Sequence, residues 1–256
     1  MCQKSFEILG KIKSFQETVS LEEVIHLLTF SSQLVINNKD EHKDFFDSKN
    51  LFSTPSHSDL NGEFHNNSIY HVYTSEFIDD LVKKINNVNP SNSVVEIGAG
   101  MGKLSKLLQN KGIDIIAIDT KPGHSSVEQI DCVSALNKYE PEVVLSSWLP
   151  HVYDKNEESL DLQAEILLSN SVNHYFEISN SLDSKYFSCD FSGKNLINKL
   201  FSRLELKSEF SVPIDLFSNH FTFTSDYGNA IKTFLENPLS YLADKKTFHK
   251  WTRICD

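Results

Sequence analysis

Apolar residues change their spacing along this chain, and the spacing marks out elements. Leu21, Val24, Ile25 and Leu28 recur at three- and four-residue steps, the period of one helical face. Ser20 with Glu23 three residues on is a capping-box pattern that starts this helix. After Val35 the period dissolves. From Asn37 to about Asn67 the chain is polar, broken by Phe45, Phe46, Leu51, Phe52 and Phe64, and reads as a linker or as a loop folded back onto an apolar surface. Helical period returns after a cap at Thr74 or Ser75, with Phe77, Ile78, Leu81, Val82 and Ile85 on one face.

Beyond Pro90 and Ser91 the pattern changes character. Val94, Val95 and Ile97 form a short β-branched run with little polar alternation, as in a strand buried on both faces. Glycines follow, then Leu104, Leu107 and Leu108 at helical spacing. Ile113 to Ile118 is a second strand of the buried type and Val143 to Leu145 a third. Strand, glycine turn, helix and strand make a βαβ unit and predict a parallel sheet. Farther on, Leu160 to Leu168 reads as helix, His174 to Ile178 as strand and Leu196 to Phe201 as helix. The strand-like stretches Leu204–Phe210 and His220–Thr224 have no helix between them and are expected to pair antiparallel. The expected fold is α/β: a mostly parallel sheet with an antiparallel strand pair near its C-terminal edge, helices on both faces and an N-terminal helical cap. Residues 1–68 are assigned to the cap and 69–256 to the sheet domain.

Composition narrows the partners. The formal net charge is −11, and no run of Lys and Arg is long enough to make a local exception, so a phosphate backbone is disfavoured as substrate. With 39% apolar and 23% charged residues the chain has the make-up of an ordinary globular protein. Cys2, Cys132, Cys189 and Cys255 are scattered and form no CxxC pair, so neither a zinc site nor a disulfide framework is expected. No segment has the length and apolarity of a secretory signal or a membrane span, which makes a reducing, cytoplasmic setting the expectation.

The chemistry concentrates in VVEIGAGMGKLSKLL, from Val94 to Leu108. Glycines at a strand-to-helix turn let the backbone bend sharply and approach a ligand that a Cβ would hold off. This stretch resembles the first motif of class I, Rossmann-like methyltransferases that use S-adenosylmethionine (AdoMet). In that family an acidic residue near the end of the first strand precedes G-x-G-x-G. Here those positions are Glu96, Gly98, Gly100 and Gly102, with Ala99 inside the turn. The resemblance implies AdoMet as cofactor, with Glu96 attracting the amino group of its methionine moiety. A dinucleotide fingerprint, G-x-G-x-x-G, would need a third glycine where Lys103 stands.

Thr120 is assigned to the cofactor, as is Asp119, which ends the strand beginning at Ile113 and lies 17 residues past Gly102. A carboxylate there can accept hydrogen bonds from both ribose hydroxyls, and the family places one there. Asp131 matches the position near the adenine amino group, with the Cys132 N–H offered to the ring. Only eleven residues separate Asp119 from Asp131, which leaves little room for a crossover helix and a third strand, so that helix is expected to be short or missing. In the family, the loop after the next strand faces the reactive methyl; here it holds Ser146, Ser147, Trp148, Leu149 and Pro150 in place of an Asn/Asp-Pro-Pro-aromatic run. Ser147 is assigned to the cofactor and Trp148 to the acceptor pocket. His151, just beyond, is a candidate general base because imidazole titrates near neutral pH. His71 is the second candidate, with Tyr70 and Tyr73 beside it in the pocket.

The expected function is methyl transfer, to oxygen or nitrogen, on a small molecule, with a basic peptide as a further acceptor class and no metal. Two other classes stay open. One is a noncatalytic AdoMet-binding module serving a protein partner. The other is a nicotinamide oxidoreductase, whose common short-chain type carries Tyr-x-x-x-Lys after the middle strands. Tyr139, Tyr153 and Tyr175 lack that lysine, while Tyr241 and Lys245 have the spacing but sit near the C-terminus.

Overall fold

The computed structural model describes residues 3–37, 71–88, 90, 94–147, 149, 162–179, 200–206, 210–213, 227–243 and 247–254. They form two compact units, Met1–Asp79 with Lys207–Lys246 and Asp80–Leu206 with Thr247–Asp256.

The first unit is built on helices. Helix α1 (Gln3–Lys13) buries Ile8, Leu9 and Ile12, and α2 (Leu21–Asn37) buries Val24, Leu27 and Leu28. The capping box forms: the Ser20 amide donates to Glu23 Oε2 at 2.7 Å and the Glu23 amide to Ser20 Oγ at 3.1 Å, so donors orphaned at a helix start are satisfied. Strand β1 (His71–Tyr73) pairs antiparallel with β8 (Ser211–Pro213), setting Val72 opposite Val212. Those two valines join α1, α2 and Phe234 and Leu242, from α7 (Tyr227–Glu236) and α8 (Pro238–Ala243), in one apolar core. The unit that holds the N-terminal helices thus also holds residues 207–246. Thr74 is the cap of α3 (Ser75–Val88): its Oγ1 accepts the Phe77 amide at 3.2 Å.

The second unit is a seven-stranded sheet. Its strands are β2 (Val94–Ile97), β3 (Ile115–Asp119), β4 (Glu128–Gln129), β5 (Val143–Ser147), β6 (His174–Ser179), β7 (Phe201–Leu206) and β9 (Thr247–Arg253), in the order β4-β3-β2-β5-β6-β9-β7. The pairs from β4 to β6 are parallel, and β9 runs antiparallel to both β6 and β7. Strand β2 is central, and all four of its side chains are buried, which is what its unbroken apolar run requires. Val95 and Ile97 point into a core with Ala135, Leu136, Ile166 and Leu167, from α5 (Cys132–Tyr139) and α6 (Leu162–Leu168). On the opposite face Glu96 meets Ser105 of α4 (Lys103–Gln109). Helices therefore cover both faces of a mostly parallel sheet, as the βαβ pattern predicts.

The C-terminal strand pair differs in its members. Strand β7 pairs with β9, a segment given no strand from sequence, while residues 220–224 lie outside the described residues. Of the helix expected over 196–201, residues 196–199 also lie outside them, and Phe201 is already the first residue of β7. No helix forms over 120–127, as the short spacing predicts. The connection is a string of bends and turns, sufficient because β4 is two residues long and pairs only with the end of β3, Ile118 to Glu128 and Asp119 to Gln129.

Candidate functional site

The chain leaves β2 and doubles back through Gly98, Gly100 and Gly102, whose φ angles are +71°, +55° and +72°. L side chains rarely adopt that left-handed conformation, so three glycines at alternate positions are what the turn demands. They differ in what surrounds them. A Cβ on Gly98 would lie 2.6 Å from Leu149 Cδ2, and one on Gly102 2.7 Å from Val127 Cγ2. A Cβ on Gly100 would meet nothing within 4 Å. The turn is closely packed at both ends and open in the middle.

The open middle adjoins the end of β3. Asp119 Oδ2 accepts the Gly100 amide at 2.8 Å and Oδ1 the Lys121 amide at 2.8 Å. The Ala99 amide donates to the Ile118 carbonyl at 2.9 Å, and the Gly123 amide to the Gly100 carbonyl at 3.0 Å. Segment 120–127 thereby folds against the glycine turn, with Val127 buried on Gly102. Thr120 is exposed, and its carbonyl accepts from Gln129 Nε2 at 3.3 Å.

Glu96 is buried inside this junction. Its Oε2 accepts both the Ser105 amide, at 2.9 Å, and the Ser105 hydroxyl, at 2.5 Å. Burial pushes its carboxyl up to about 7; the two Ser105 hydrogen bonds oppose that rise and the Asp119 charge adds to it. A carboxyl held at that value changes charge near neutrality.

Asp131 stands apart from this network in its bonding. It is the N-cap of α5, accepting the Ser134 amide at 2.9 Å and the Ser134 hydroxyl at 2.6 Å. Those two bonds lower its carboxyl below the usual range. Cys132 begins α5 with a thiol buried in the sheet core, and burial pushes that thiol up to about 12, which makes it an apolar core group at neutral pH. Ser147 is half-buried at the end of β5, and Ser146 beside it shares a buried hydrogen bond with the Tyr175 hydroxyl at 2.6 Å. His71 and Tyr73, in the first unit, are buried in an aromatic group with Phe77, at ring distances of 5.1 Å from each other and 6.2 and 6.0 Å from Phe77. Tyr70, Trp148 and His151 lie outside the described residues.

Side chains that sequence reasoning passed over hold this region together. Ser105 anchors Glu96, Ser134 completes the Asp131 cap, Val127 fills the space beside Gly102, and Gln163 Nε2 donates to buried Glu177 at 3.1 Å. The Asp131-x-x-Ser134 spacing is a capping signal that the sequence displays. Nothing local in the sequence marks the other three. Among the described residues no three His, Cys, Asp or Glu side chains are grouped so as to hold a metal ion, and no helix is long and apolar enough to cross a membrane.

No protein-family model and no curated protein matches the chain. Solved structures similar to it include a phosphoethanolamine N-methyltransferase 2 of Haemonchus contortus in complex with S-adenosylhomocysteine, at 11% identity and a TM-score of 0.35 over 69% of this chain. The match spans 52% of that protein, about half its length. A second is a SAM-dependent methyltransferase of Archaeoglobus fulgidus, at 13% identity and a TM-score of 0.36, covering 70% of this chain and 94% of that one. A third is coclaurine N-methyltransferase bound to N-methylheliamine and S-adenosylhomocysteine, at 11% identity and a TM-score of 0.37, covering 98% and 99%.

Proposed function

We propose that the chain is an AdoMet-dependent methyltransferase acting on a small molecule, by transfer to oxygen or nitrogen. The observation that carries this is the place and shape of the glycine turn. It lies at the carboxyl end of β2, where the strand order reverses: β3 and β4 follow on one side, β5 and β6 on the other. Open α/β sheets take their ligands at such a switch point. There the turn offers an open face at Gly100 beside the Asp119 carboxylate.

The residues fit the cofactor. A carboxylate has about four acceptor positions, so Asp119 retains capacity for ribose hydroxyls after accepting two amides. Glu96 would face the amino group of the methionine moiety, and its charge change near neutrality suits a site that gains a cation. The backbone of Gly98, Ala99, Gly100 and Gly102 would line the ligand, with Thr120, Asp131, the Cys132 N–H and Ser147 on its other sides. Trp148 is assigned to the acceptor pocket and His151 to proton removal.

Bound AdoMet supplies a methyl group on a sulfonium, which is already activated for transfer. Alignment is then the protein's main task, and proximity alone supplies several kcal/mol. A base is needed only for an acceptor that must lose a proton, such as a hydroxyl. The net charge of −11 favours a small molecule or basic peptide over nucleic acid.

The test is a screen for transfer of labelled methyl from AdoMet into a small-molecule extract, with S-adenosylhomocysteine release as the readout. Release that depends on both protein and extract is expected. Cofactor binding with no release across broad acceptor sets would instead mark a noncatalytic module.

A further inference from the structure

We propose that Asp119 is also a positioning residue, which sets the glycine turn before any ligand arrives; this rests on the AdoMet reading only where a ligand is named below. Gly98 and Gly102 abut neighbouring side chains, Leu149 and Val127, but the open side of Gly100 meets nothing within 4 Å. Gly100 nevertheless holds a left-handed conformation, at φ +55°. Hydrogen bonds hold it there: Asp119 Oδ2 takes its amide and the Gly123 amide meets its carbonyl. The second Asp119 oxygen takes the Lys121 amide, so one carboxylate ties the turn after β2 to the turn after β3. Bonds from amides to an ionised carboxylate are stronger than neutral ones. A turn already fixed in this way spares the ligand the cost of ordering it.

Hydrogen exchange on the unliganded protein reads this directly. In Asp119→Ala the Gly100 and Lys121 amides should exchange at least about tenfold faster, the loss expected for a charge-assisted bond. The amides of Leu107 and Leu108 in α4 should keep their rates. Asp119→Asn, nearly the same in shape, guards against a variant that simply unfolds. Its carboxamide has one oxygen in place of two, so one of the two amides should stay protected and the other should not. Unchanged exchange at both amides in Asp119→Ala would overturn the positioning role.

A second arm separates positioning from direct ligand contact by comparing S-adenosylhomocysteine with its 2′,3′-dideoxy analogue. If Asp119 acted only through the ribose hydroxyls, Asp119→Ala would bind the dideoxy ligand as tightly as wild type, and the proposal would fail. Positioning predicts a residual loss of about tenfold for that ligand. If neither ligand binds wild type, the cofactor reading fails, and the exchange result alone decides the role of Asp119.

Discussion

Asp119, the last residue of β3, and Asp131, two residues past β4, are carboxylates at neighbouring strand ends, and the molecule employs them differently. Asp119 reaches across the sheet to an amide distant in sequence, that of Gly100, while its other oxygen takes the amide of Lys121. Asp131 bonds to Ser134, three residues ahead, and closes the first turn of its own helix. A long-range bond makes Asp119 a determinant of the site's shape. A local bond makes Asp131 a determinant of where α5 begins. Residue type and position at a strand end do not separate these roles; the partner does.

Several substitutions break or sharpen that contrast, and the largest effect lies on the Asp119 side. Gly102→Ala meets both a left-handed φ and Val127 at 2.7 Å. It should destabilise the unliganded protein by about 2–4 kcal/mol, summing conformational strain and overpacking, as read by denaturant unfolding. A loss under about 1 kcal/mol would mean that segment 120–127 yields easily and that the junction is looser than described.

Next in size, Asp119→Ala should weaken AdoMet binding by about 1.5–3 kcal/mol, roughly ten- to hundredfold, as measured by calorimetry. Asp131→Ala supplies the opposite case and the smallest effect. Loss of the cap should cost about 1 kcal/mol of stability, restored by Asp131→Asn, with a smaller loss of AdoMet affinity than at Asp119. An affinity loss at Asp131 as large as that at Asp119 would erase the distinction.

Between these lies Glu96. Its folded carboxyl titrates at about 7, above the ordinary 4.5, so between those values the native state binds more protons than the unfolded chain. Stability from this group is therefore complete below about pH 4.5 and is lost as pH rises through about 7. Glu96→Gln should flatten that fall and raise stability at pH 8 by about 1–3 kcal/mol, while weakening AdoMet binding. Thermal melts of both proteins from pH 4.5 to 8 check it; parallel curves would show that folding does not raise the Glu96 carboxyl.

The elements read most directly from sequence were those fixed by local chemistry. The β-branched run Val94–Ile97, the Ser20–Glu23 capping box and the alternate glycines each state their geometry within a few residues. The missing crossover helix was legible as a shortage of residues between Asp119 and Asp131. Hidden from sequence were features that depend on distant partners. His71 pairs with Pro213, so the core around Val72 and Val212 closes only when both segments meet. Strand β9 reads TFHKWTR, where Lys250 and Arg253 mask the apolar signal; yet Trp251 is buried and Arg253 donates to the carbonyls of Val172 and Ser169. Glu96 is legible as an acid before the glycines, but its buried partner Ser105 is not.

Gly100 offers the most direct test of the central claim, that the open middle of the glycine turn receives the adenosyl cofactor. Its left-handed φ means that Gly100→Ala lowers unliganded stability by about 1–2 kcal/mol through the backbone alone. Stability is therefore not the discriminating quantity, and the stabilisation added by ligand is. Melts of wild type and Gly100→Ala, each with and without saturating AdoMet, measure that difference. The expected result is a clear AdoMet-induced rise in wild-type Tm and a much smaller rise in the variant. A full rise in the variant would contradict the placement of the cofactor at Gly100, and no rise in wild type would contradict AdoMet binding itself.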